Sequence, residues 1–161
     1  MQKNKFNIVL INPGFKFETD NFYLTEPLGL LYLASYIKEK FKNQIQLKII
    51  DAISETAIKQ KNGYFQYGLT NEKIAESVFD FKPDMVGITN MFSLRKNEMF
   101  ELAEKIKKKN PTAEIVAGGI YPTIFPEKTL SSESIDYAVI GEGEETLAAL
   151  INSKLNSDSQ F

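Results

Sequence analysis

Two residue types are missing altogether, and with them most familiar catalytic chemistry. The 161-residue chain has no cysteine and no histidine. Without cysteine there is no disulfide, thiolate metal site, iron–sulfur ligation or cysteine nucleophile within this chain. Without histidine there is no imidazole base, no Ser-His-Asp triad and no His-ligated metal. Carboxylate or lysine chemistry remains open, and a binding role gains weight. Charge of one sign is scarce as well. The net charge is -2 with no long basic run, whereas a nucleic-acid surface needs clustered Lys and Arg. Long apolar runs are lacking too. Met1 to Lys5 leads into Phe6 to Ile11, a run too short for a signal sequence or a membrane span, so a cytoplasmic protein is expected. No G-x-G-x-x-G follows the first apolar run, and there is no P-loop lysine.

What is present reads as one ordinary α/β domain. Hydrophobic residues make up 43% and charged residues 25%, a balance that supports a single soluble core. Five apolar runs alternate with helical patterns. The continuous run Ile8 to Ile11 is a central strand ended by Asn12-Pro13-Gly14. A long mixed loop, Phe15 to Thr25, precedes a helix beginning near Pro27, with Leu30, Leu33, Ile37 and Phe41 inward. Leu47 to Ile50, ending at Asp51, is a strand whose weaker alternation fits an edge or near-edge position. Residues 52–69 carry no clear pattern, and Gly63 to Gly68 is an aromatic loop placed as a flap or an interface. Thr70 caps a helix to Phe81, with Ile74, Ala75, Val78 and Phe79 inward. Met85 to Thr89 is the third strand, whose Gly87 implies a close neighbour. Lys96 to Lys109 is a helix with Met99, Leu102, Ala103 and Ile106 inward. Glu114 to Ala117 and Tyr137 to Ile140 are the last strands, with a short helix at Pro126 to Leu130 between them. A final helix starts near Glu144. The expected domain is 1–152, with 153–161 a polar tail or the start of a linker. The alternation predicts a Rossmann-like, flavodoxin-like doubly wound parallel five-stranded sheet of order 2-1-3-4-5, in three layers.

Four strand ends then open into small or glycine-containing turns on one edge of that sheet. They are Asn12 to Gly14, Asn90 to Ser93, Gly118 to Thr123, and Gly141 to Glu144. Gly118 and Gly119 permit positive φ and close backbone approach, and Pro122 biases Tyr121 towards an extended conformation. Open α/β sheets bind ligands at this edge. Any one turn is more cheaply read as a plain connection; the four together outweigh that. Glu142, Glu144 and Glu145 discourage an anion at the last helix start, so neutral contacts are expected. Glu142 with Glu144 as an acid–base pair is less economical than solvation of a helix start. Asp51 reads equally as a functional carboxylate or as an acceptor for a nearby backbone amide.

These residues resemble a known family. Glu26-Pro27-Leu28-Gly29-Leu30-Leu31-Tyr32-Leu33-Ala34, Lys82-Pro83-Asp84-Met85-Val86-Gly87-Ile88-Thr89, Gly118-Gly119-Ile120-Tyr121-Pro122-Thr123 and Val139-Ile140-Gly141-Glu142-Gly143-Glu144-Glu145 occur in order. Together they look like the N-terminal cobalamin-binding domain of the cobalamin-dependent radical SAM enzymes, over about Phe6 to Ile151. The resemblance implies a domain that holds cobalamin above the strand ends, its nucleotide tail in the sheet's crevice. It implies contacts from Asn12, Pro13, Gly14, Thr25, Glu26, Leu28, Gly29, Thr89, Asn90, Met91, Phe92 and Ser93. It further implies Gly118, Gly119, Ile120, Tyr121, Pro122, Thr123, Gly141, Glu142 and Gly143.

In whole enzymes of that family, a following barrel carries the iron–sulfur cluster and S-adenosylmethionine. Many of them methylate unactivated carbon or phosphorus, or rearrange carbon skeletons. This chain has no cysteine, so those cofactors would belong to a missing domain or a partner. The chain alone is expected to be non-catalytic. The Asp-x-His-x-x-Gly motif of other cobalamin carriers is absent, which implies a base-off cofactor with no imidazole from this chain on cobalt. The alternative is a Rossmann-like regulatory or protein-interaction domain without a corrinoid. Its receiver version needs an acidic cluster after the first strand, where Asn12-Pro13-Gly14 stands.

Overall fold

The computed structural model describes residues 5–18, 26–54, 58–59 and 63–157. The elements are β1 (Phe6–Asn12), β2 (Phe15–Phe17), α1 (Leu28–Phe41), β3 (Ile45–Asp51), β4 (Ile58–Lys59), β5 (Phe65–Tyr67) and α2 (Asn71–Phe81). They continue as β6 (Met85–Thr89), α3 (Lys96–Lys109), β7 (Glu114–Gly118), α4 (Ile120–Ile124), α5 (Pro126–Leu130), β8 (Tyr137–Ala138) and α6 (Glu144–Ser157).

The main sheet has the order β3-β1-β6-β7-β8, and every neighbouring pair is parallel. Counting only these five strands, that is the expected 2-1-3-4-5 order. Side chains alternate cleanly between its two faces. Ile8, Leu10, Met85 and Val116 pack with Leu30, Ile37, Leu147 and Ile151 of α1 and α6. Val9, Ile11, Val86, Ile88, Ile115 and Ala117 pack with Ile74, Val78, Met99, Leu102 and Ile106 of α2 and α3. Both faces are therefore covered, which explains why the strands read as continuous apolar runs.

Five expectations need correcting. First, the aromatic segment 63–68 is not a loose flap. Phe65–Tyr67 is the middle strand of a small antiparallel sheet of order β2-β5-β4. Phe15, Ile53 and Tyr67 form its own core, with Phe15 stacked on Tyr67 at 4.9 Å. Second, Phe79 is exposed; Phe81 packs on the core instead, with the Lys48 ammonium 5.8 Å from its ring. Third, Tyr121 and Pro122 are helical and buried, not an extended loop exit. Proline is tolerated in a first helical turn because its missing N–H would have no partner there. The Tyr121 N–H reaches the Asn90 carbonyl, and its ring meets Phe100 edge-on and Phe125 at a tilt. Fourth, the last strand stops at Ala138. Val139 N still donates to Ala117 O at 2.8 Å, but Ile140 points into solvent at this sheet edge. Fifth, α6 runs past Asn152 to Ser157. Leu155 packs on the α1/α6 core, and Lys154 pairs with Glu114 and Tyr137.

Helices α2 and α3 are tied at the surface by Glu72 and Lys105, 2.8 Å apart. The hydrogen bond from Lys105 is the main reason that the Glu72 carboxyl is lowered to about 2 from its ordinary 4.5. A depressed carboxyl stabilises the fold above its unfolded pKa, and that contribution disappears as pH falls from about 4.5 towards 2. The pair is exposed, so its worth is under about 1 kcal/mol. Lys105→Met should raise the Glu72 pKa read by NMR titration and flatten the loss of stability over that window. An unchanged Glu72 titration would contradict the pairing.

Candidate functional site

The carboxyl ends of β1, β6 and β7 open into one cavity of about 860 Å³. Of the contacts implied by the sequence, Asn12, Pro13, Gly14, Glu26, Leu28, Gly29, Thr89, Asn90, Met91 and Phe92 line it, as do Gly118, Gly119, Ile120, Thr123, Gly141, Glu142 and Gly143. Thr25 lies outside the described residues. Ser93 is not in the wall; it opens the short 3-10 turn Ser93–Arg95. Tyr121 and Pro122 face the protein interior, for the reasons given above.

The cavity has two unlike flanks. On the α1/α6 side it descends along Leu10, Gly87 and Val116 of the central strands, against Leu30, Leu33, Val139 and Leu147. This is an apolar crevice. Gly87 makes its floor possible: a Cβ there would stand 2.7 Å from Leu10 Cδ2. On the α2/α3 side the wall includes Ile53, Ile88, Asn90, Arg95 and Glu98, and is more polar.

The two adjacent glycines do different jobs. Gly119 has φ +100, and a Cβ on it would lie 2.6 Å from the Asn90 carbonyl oxygen. It lets the turn after β7 lie on the end of β6. Gly118 has open space where its Cβ would be, so its lack of a side chain leaves room in the cavity. Thr123 braces the same corner. Its hydroxyl donates to Gly119 O at 2.8 Å and accepts from Gly141 N at 3.0 Å. One side chain thus fixes the spacing between two glycine turns.

One carboxylate near the site is tied into the fold. Asp51 accepts from Asn12 Nδ2 at 2.9 Å and from Ile53 N at 3.3 Å, which favours the structural reading of that residue. Glu144 stands in the first turn of α6, where negative charge is favoured by the helix dipole. Asn90 is the exception to a well-satisfied wall. It is 3% exposed, yet neither Nδ2 nor Oδ1 of its carboxamide has a hydrogen-bond partner. A buried, unpaired amide is costly and calls for an explanation.

Comparison with known proteins decides the family. The B12-binding domain model matches residues 22–151. The chain belongs to the B12-binding domain family. It is 30% identical over 145 residues to the cytidylyl-2-hydroxyethylphosphonate methyltransferase of Streptomyces wedmorensis, covering 86% of this chain and 27% of that protein. It is 35% identical over 128 residues to an uncharacterized methyltransferase of Pyrococcus horikoshii, covering 79% of this chain and 24% of that protein. The chain therefore spans about a quarter of the length of these curated relatives. Among solved structures, a cobalamin-binding protein from Desulfitobacterium hafniense shares the fold with a TM-score of 0.59 at 11% identity, over 92% of this chain and 58% of that one. The BeF3-activated DrrB receiver domain shares it at a TM-score of 0.53 and 14% identity, over 95% of this chain and 99% of that one. At these identities both likenesses speak to fold alone.

The residues present in this B12-binding domain fit a cobalamin. Gly118 and Gly29 leave open room in the wall, the α1/α6 flank is an apolar slot, and the orphaned Asn90 amide has two N–H donors and a carbonyl acceptor without partners. A corrinoid carries carboxamide arms around its ring that match such a group.

Sequence reasoning missed Arg95, Glu98, Leu33, Val139 and Leu147 as wall residues. The last three were legible only as core positions, because the crevice is a gap within the core itself. A direct check on the site is Asn90→Leu. Removing a buried unpaired amide should leave the ligand-free domain equally stable or up to about 1 kcal/mol more stable. Urea denaturation reads this; a loss above about 1 kcal/mol would show that the amide is satisfied.

Proposed function

We propose that this chain is the cobalamin-binding module of a radical SAM-type methyltransferase or a related enzyme. It holds a base-off, His-off corrinoid at the carboxyl ends of the parallel strands and is not catalytic alone. The observation that carries this reading is the apolar crevice along Leu10, Gly87 and Val116, opening into a glycine-lined cavity. The nucleotide tail enters the crevice. The corrin lies over the turns after β1, β6, β7 and β8, with the Asn90 amide meeting a corrin carboxamide. The chain has no histidine, so none of its imidazoles holds cobalt. The bound corrinoid supplies a cobalt centre suited to passing on a one-carbon group.

The methyltransferase relatives are about four times as long as the matched region, which supports a barrel in cis or in trans as the catalytic partner. That barrel would bring the iron–sulfur cluster and S-adenosylmethionine. The rim of the cavity suits such a partner: Leu28 is 58% exposed, Phe92 53% and Ile124 58%, an apolar border of the kind that marks a protein interface. No described helix is long and apolar enough to cross a membrane, and a cytoplasmic module acting without nucleic acid fits the composition. A receiver-like regulatory role is the weaker reading, because β1 ends in Asn12-Pro13-Gly14 without an acidic cluster.

The test is retention of hydroxocobalamin through gel filtration, with the visible spectrum of the protein peak. Wild type should retain a base-off corrinoid. Gly118→Leu should weaken binding at least about tenfold while keeping the melting temperature, because its side chain fills the cavity without a clash. Equal retention by this variant would sink the placement. Gly119→Leu is the poorer probe, since it breaks the packing of the turn on Asn90.

A further inference from the structure

The α1/α6 flank of the cavity is built in layers, because alternate residues of a strand share one face. At the rim of the three central strands stand Asn12, Thr89 and Gly118. Two residues back, and about 7 Å deeper, stand Leu10, Gly87 and Val116. The first layer carries polar side chains. The second is hydrocarbon, and Leu33, Val139 and Leu147 close around it. The backbone at that depth is already engaged. Leu10, Gly87 and Val116 each have a strand paired on both sides, so their N–H and C=O groups belong to the ladder. Val139 N donates to Ala117 O and Leu147 N to Gly143 O, both at 2.8 Å. The carboxylates of this flank, Glu26 and Glu144, stand where α1 and α6 begin.

A slot of this kind discriminates by hydrogen-bonding capacity as well as by size. A polar group carried into it gives up water and meets hydrocarbon in return. Resting on the corrinoid reading above, we propose that the crevice selects the base of the bound corrinoid, taking a benzimidazole-type base over a purine. Dimethylbenzimidazole brings two methyl groups and a single ring nitrogen with an open lone pair. Adenine brings three such nitrogens and an amino group. Val116 and Val139 set the selection, because they offer methyl groups where a purine needs hydrogen-bond partners.

Three corrinoids test this: hydroxocobalamin, the corresponding cobamide with adenine as its base, and cobinamide, which lacks the nucleotide altogether. Each is titrated into the chain, and the bound fraction is read from the visible spectrum after gel filtration. Affinities of the two cobamides are corrected for the cost of detaching the base from cobalt, measured by acid titration of each cobamide alone. Cobalamin should bind at least about tenfold tighter than the adenine form, and cobinamide weaker than cobalamin. Val139→Thr exchanges a methyl for a hydroxyl at nearly constant volume. It should narrow the cobalamin-to-adenine ratio roughly threefold or more and leave cobinamide unmoved. Equal affinities for the two cobamides, tighter binding of the adenine form, or an unchanged ratio in Val139→Thr would overturn the selection and leave the corrinoid reading standing. Retention of none of the three corrinoids would defeat the corrinoid reading, and the selection with it.

Discussion

The ligand edge depends on the register of β6 between β1 and β7. Leu10 pairs across from Gly87, and Gly87 from Val116. Those three positions face α1 and α6; the glycine between two branched side chains lets Leu10 Cδ2 lie over it, and the apolar slot runs along all three. A slip of one residue would bring Val86 or Ile88 to that face and fill the slot. The same register delivers Asn90 to the Gly118–Gly119 turn, where the Asn90 N–H donates to Gly118 O at 2.8 Å. Fold and site are thus set by one set of backbone pairings rather than by separate devices.

From that constraint comes a division between the two sides of the sheet. The α1/α6 side is apolar. The α2/α3 side carries the Asn90 amide and the Arg95–Glu98 region, and is buttressed by the small antiparallel sheet through Phe15. Between them, Thr123 sets the spacing of the Gly119 and Gly141 turns.

Much of this was legible in the sequence because it follows from periodicity. The bounds of α3, its four buried residues and the strand order came from apolar spacing, and the close approach at Gly87 from a glycine inside a strand. The gathering of four turns at one edge followed from parallel topology. What was hidden depended on long-range contacts. Strands of two or three residues, as in β4 and β5, have no period to read, so the stack of Tyr67 on Phe15 was invisible. Tyr121 looked like a loop residue until its amide found Asn90 and its ring found Phe100. Gly118 and Gly119 are identical on paper; only the neighbouring carbonyl of Asn90 separates a space-maker from a turn-former. Arg95 carried one signal, its singularity among lysines; the structure sets it against the Phe15 and Phe92 rings in the cavity wall.

The most direct test of the central claim is where a corrinoid tail sits in the loaded protein. Intermolecular NOEs should be recorded between the dimethylbenzimidazole methyl groups of bound cobalamin and the methyl-labelled chain. The account predicts contacts to Leu10, Val116 and Val139, the walls beside Gly87. Contacts confined to residues outside that crevice, or a bound cobalamin whose benzimidazole shows none of these three, would contradict it.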